Sequence, residues 1–61
     1  MKYYEFRAFY ISNDNSERYI AIIEKGNSIN DVLVTAASKA CDYIANTKKT
    51  NMVNFKFVKE F

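Results

Sequence analysis

Sixty-one residues carry a formal net charge of +2, no histidine, no proline, one glycine and one cysteine. The lone cysteine excludes an intramolecular disulfide, and the missing histidine removes the commonest metal ligand and general base. A charge of +2 is too small to announce a polyanion partner, and what remains is a single domain over residues 1–61 near the lower size limit for one core.

The amino-terminal MKYYEFRAFY alternates apolar and charged residues, unlike a signal peptide or a membrane span, so no membrane association and a cytoplasmic location are expected. Period two runs from Tyr3 to Ile11, with Tyr4, Phe6, Ala8 and Tyr10 on one face and Tyr3, Glu5, Arg7, Phe9 and Ile11 on the other. SNDNSE follows as a polar turn, and Arg18–Glu24 is again β-branched and aromatic, so the two segments read as a hairpin. In that second strand both parities are apolar, Tyr19, Ala21 and Ile23 against Ile20 and Ile22, and the face that meets the core stays open.

EKGNSIND then joins strand to helix. Ser28 and Asp31 fit a capping box, and Gly26 supplies a positive φ or an unhindered turn before it. With no second glycine and no Lys-Ser/Thr following, the stretch lacks a phosphate cradle. From here apolar residues recur at helical spacing: Ile29, Leu33, Ala36, Ala37, Ala40 and Ile44, with Asp31, Thr35, Ser38, Lys39, Asp42 and Asn46 opposite. The helix is expected to end near NTKKTN, where Lys48 and Lys49 suit its negative end. Residues 53–61 return to period two, with Val53, Phe55, Phe57 and Phe61 on one face. The predicted fold is α+β: a two-layer ββαβ domain with one helix on one face of a three-stranded, mainly antiparallel sheet. Strand order 2-1-3 is preferred over 1-2-3 because it centres the most apolar strand.

Catalytic patterns are absent. Cys41 sits mid-helix, away from a helix N-terminus or a cationic pair, and the carboxylates are scattered, so neither an enzyme nor a cofactor or metal site is expected. The sheet's second face is the informative feature, because one helix covers only one side. Tyr3, Phe9, Ile11, Ile20, Ile22, Met52 and Val58 are the candidate partner or dimer face. The expected function is a non-catalytic protein-interaction module that acts as a homodimer. The alternative is single-stranded nucleic-acid binding, with Arg7, Lys48, Lys49, Lys56 and Lys59 meeting phosphates beside stacked bases.

The order strand, polar hairpin, strand, EKGNSINDV, helix, strand resembles the small phage-encoded inhibitors of uracil-DNA glycosylase, with Lys25, Gly26, Ser28 and Asp31 as the matching residues. That family is acidic and this chain is not. The resemblance therefore implies the looser expectation of a small dimeric phage or mobile-element protein that blocks a host or competitor protein.

Overall fold

The computed structural model describes residues 1–61 as strand β1 (Lys2–Ile11), strand β2 (Glu17–Gly26), helix α1 (Ile29–Tyr43), a π-helical turn (Ile44–Lys48) and strand β3 (Met52–Glu60). The sheet order is β2-β1-β3 and both pairings are antiparallel. The fold is the expected α+β arrangement with the preferred order. β1 takes the centre because it alone has a fully apolar parity facing the helix.

That parity, Tyr4, Phe6, Ala8 and Tyr10, is buried throughout and meets Val32, Ala36, Ala40 and Ile44 from the helical layer. Large rings from the sheet against alanines from the helix let the two layers approach closely. Phe6 is fully buried, its ring stacked on Phe55 at 5.1 Å and edge-on to Phe57 at 5.8 Å. The helix stripe is rotated slightly from the expected one. Val32 is buried where Leu33 was expected, and Leu33 stays 39% exposed.

The hairpin register is set by a five-residue turn, residues 12–16, that Asp14 organises. Its carboxylate accepts from the hydroxyls of Ser12 and Ser16 and from the Ser16 N–H (3.1 Å), and pairs with Arg18 at 3.3 Å. These donors, Ser12 first, hold the Asp14 carboxyl well below the usual carboxylate range. Asn15 takes the left-handed backbone the turn needs, with φ 70°. The resulting register pairs Phe6 with Ile22 and Ala8 with Ile20, so Ile20 and Ile22 face the helix and pack on the core. They do not belong to the bare face expected for them.

β3 departs from strict alternation twice. Phe9 pairs with Asn54 but Tyr10 with Met52, and Glu5 pairs with Lys59 but Phe6 with Phe57. Val53 and Val58 are the extra residues of two bulges, and each bulge inverts the parity beyond it. Met52 therefore turns inward against Ala8, Tyr10, Ala40 and Ile44, whereas Phe61, expected inward, stacks on Tyr3 of the opposite face.

The strand-to-helix joint also differs from expectation. Ser28 is the N-cap residue in extended conformation, but its hydroxyl makes no capping bond. The first turn is held by the Asp31 N–H donating to the Ser28 carbonyl at 3.1 Å. Gly26 has no positive φ. It is buried, and a Cβ there would lie 2.5 Å from Val32 Cγ1. Glycine is required by the closeness of the first helical turn and not by a left-handed backbone. No helix is long and apolar enough to cross a membrane.

Candidate functional site

Cross-strand register assembles the bare face in rows. Lys25, Tyr3 and Phe61 form the first, Tyr3 and Phe61 exchanging two backbone hydrogen bonds of 2.8 Å. Ile23, Glu5 and Lys59 form the second, Ala21, Arg7 and Lys56 the third, Tyr19, Phe9 and Asn54 the fourth, and Glu17 with Ile11 closes the end. The face is thus a mixture of rings and long cationic side chains laid across three strands.

Each ring has a cation against it. The Arg7 guanidinium carbon lies 4.6 Å from the Tyr19 ring centroid, and the ammonium groups of Lys25, Lys56 and Lys59 lie 5.6, 5.5 and 5.3 Å from Tyr3, Phe9 and Phe61. The rings also pair with one another, Tyr3 with Phe61 at 5.9 Å and Phe9 with Tyr19 at 5.5 Å. A ring's quadrupole attracts a cation but does not neutralise it. The ion pairs of the molecule, Lys2–Glu60, Arg18–Asp14 and Lys39–Glu24, use none of these four cations. Glu5 and Glu17 are the only carboxylates in the rows, so the face is positive. At its centre, Arg7 Nε is shielded from water and has no hydrogen-bond acceptor. Nothing in the fold satisfies this donor, and an incoming acceptor would.

Of the residues expected on a contact face, Tyr3, Phe9 and Ile11 lie in these rows and Val58 sits at the β3 bulge. Ile20, Ile22 and Met52 belong to the helix side. Of the expected cations, Arg7, Lys56 and Lys59 are on the face. Lys48 and Lys49 are not: they end the π-turn at the far end of the helical layer, Lys48 with its ammonium 5.9 Å from the Tyr10 ring and Lys49 left-handed at φ 58°. Tyr19, Lys25 and Phe61 complete the face and were not on the expected site. The turn length would have placed the first two, since a turn over residues 12–16 fixes which parity of β2 joins the core.

The molecule's one concavity, about 380 Å³, lies by the hairpin turn and is lined by Tyr10, Ser12, Asn13, Arg18, Thr47 and Lys48. It is polar, and its guanidinium is already engaged by Asp14. No family model, no curated protein and no solved structure matches this chain.

Proposed function

We propose that this chain is a non-catalytic binding module that takes single-stranded nucleic acid on the bare sheet face. The observation carrying this reading is the set of four rings, each with a cation against it that takes part in none of the molecule's ion pairs. Bases have apolar faces and phosphates have charge, and an open sheet that offers both aromatic platforms and free cations answers both needs. The two ring pairs sit about 20 Å apart along β1, at a strand rise of ~3.3 Å per residue, which is the reach of a few extended nucleotides. Lysine stems swing aside as a base stacks, and their ammonium groups then meet the backbone phosphates. Arg7 stands between the ring pairs, where a base edge or phosphate oxygen would supply the acceptor that Nε lacks.

The same charge argues against two copies pairing through this face, because like charges would be pressed together in a desolvated layer. An acidic protein surface is the competing ligand, and it would restore the reading of an inhibitor that blocks a host protein. Fluorescence anisotropy with a short labelled single strand at low salt tests the proposal. Binding should weaken with salt at a logarithmic slope of about −2 to −3, as for three or four phosphate contacts. Arg7→Ala should weaken it roughly tenfold, the scale of a lost charge-assisted contact. Absence of binding at low salt, with a protein captured from lysate after nuclease treatment, would replace nucleic acid by a protein partner.

A further inference from the structure

The hollow by the hairpin turn lies on the helix side of the sheet, away from the cationic outer face. Its position follows from the register: Tyr10 pairs with Arg18, so the guanidinium shares the inward parity of the buried ring. Two turns distant in sequence meet there. The hairpin turn brings Ser12 and Asn13, and the π-helical turn that ends α1 brings Thr47 and Lys48. A π-helical turn is a rare conformation that recurs at functional sites.

The fold does not use up the donors of this hollow. Tyr10 is 5% exposed, yet its hydroxyl makes no hydrogen bond within the chain. Among fully shielded side-chain polar atoms only Arg7 Nε lacks a partner, so the Tyr10 hydroxyl opens into the hollow it lines. Arg18 gives Nε to Ser12 and one Nη to Asp14, both at 3.3 Å, and its other Nη is free. Lys48 is half-buried, its ammonium 5.9 Å from the Tyr10 ring centroid, and joins no ion pair. Asp14 is not in the lining, and its oxygens are taken up by Ser12, Ser16 and Arg18. The carbonyl end of the helical layer adds about half a negative charge, which Lys48 and Lys49 together outweigh. The balance at the hollow is positive.

We propose that this hollow holds the phosphate group of a small phosphorylated metabolite, of the sugar- or polyol-phosphate class. A phosphate monoester brings nearly two negative charges and three acceptor oxygens at neutral pH, which suits Arg18, Lys48 and the Tyr10 hydroxyl as donors. A volume of about 380 Å³ is at the lower end of small-ligand sites and leaves room for a small body attached to the phosphate. That body is polar, because Tyr10 is the one apolar residue of the lining, and Asn13 and Thr47 offer it an amide and a hydroxyl. A nucleobase or an acyl chain would find too little apolar surface. The site does not rest on the outer face or on what binds there.

Heteronuclear NMR titration of the whole chain with glycerol phosphate, against sodium chloride at matched ionic strength, reads the outcome. The ester should give saturable shifts confined to Asn13, Arg18, Thr47 and Lys48, and chloride should not. Lys48→Gln keeps most of the stem over Tyr10, removes the charge and should weaken binding about tenfold. Tyr10→Phe removes only the hydroxyl and should weaken it roughly threefold. Both variants should leave single-strand binding at the outer face unchanged, which separates a failure here from a failure there. Shifts that match those in chloride, or that spread over Lys25, Lys56 and Lys59 without saturating, overturn the proposal. So does binding that neither variant weakens. A hollow perturbed by a strand with a terminal phosphate, and not by the free ester, overturns it as well and makes the hollow the seat of a strand end.

Discussion

The two faces of β1 carry comparable numbers of aromatic rings and use them in opposite ways. On the inner face Tyr4, Phe6 and Tyr10 lie under alanines and valine and are buried. On the outer face Tyr3 and Phe9 lie beside lysines and stay in contact with water. The aromatic residues themselves do not distinguish the faces. What lies over them does: the small residues of α1 close a layer over the inner rings, whereas long cationic side chains cover the outer ones without sealing them. A ring on this sheet is core where the helical layer covers it and platform where only its own sheet borders it.

Substituting one ring from each face tests that contrast most strongly. Phe6→Ala should cost about 3–5 kcal/mol, since the side chain is fully buried and leaves a cavity between Phe55 and Val32. Phe9→Ala removes only a cross-strand pair and a cation contact and should cost less than about 1 kcal/mol. Chemical denaturation of both variants measures the difference, and equal losses would mean the outer face is part of a core.

The helix joint provides a second, smaller contrast. Gly26→Val forces a Cβ into Val32 Cγ1, and a buried β-branched side chain in a helix has no free rotamer to retreat into, so about 1–3 kcal/mol should be lost. Ser28→Ala removes no side-chain bond and should change stability by less than about 0.5 kcal/mol. A large Ser28 effect in the same denaturation series would show that the hydroxyl caps the helix after all.

The smallest effect is expected at the hairpin turn. The Asp14 carboxyl is depressed in the folded state, so its contribution is present above the ordinary value of 3.8 and is lost as pH falls from there toward the folded value. Carbon-detected NMR titration should find Asp14 still ionised where a free aspartate is half protonated, and Ser12→Ala should move its midpoint upward. A midpoint at the ordinary value would mean that the turn network does not form.

Much of this fold is legible in the sequence because period two and period 3.6 are strong signals, and Tyr4, Phe6, Ala8 and Tyr10 display theirs without interruption. The errors fall where alternation gives no information. In β2 both parities are apolar, so Ile20 and Ile22 are assigned only once the turn length fixes the register. In β3 two added valines shift the alternation, and simple counting puts Met52 and Phe61 on the wrong faces. Gly26 was legible as a special position, but its reason, the close approach of Val32, is a tertiary fact. The cationic partners of the outer rings were partly legible, since Arg7 shares the parity of Tyr3 and Phe9 and Lys56 and Lys59 were already among the expected cations. Lys25 joins them only through pairing between strands.

The order of the strands also governs how the chain folds. β1 and β2 are joined by a short turn and can zip together at once, but the other edge of β1 waits for β3, whose pairing of Tyr4 with Glu60 spans nearly the whole chain. Closing that long loop is the slow, entropically costly step. Until it closes, the central strand of the finished sheet is an unpaired edge carrying Tyr4, Phe6 and Tyr10. The kinetic hazard of this small protein therefore lies in its best-buried strand, and agents that delay β3, such as a carboxy-terminal truncation, should promote aggregation before they measurably alter the native surface.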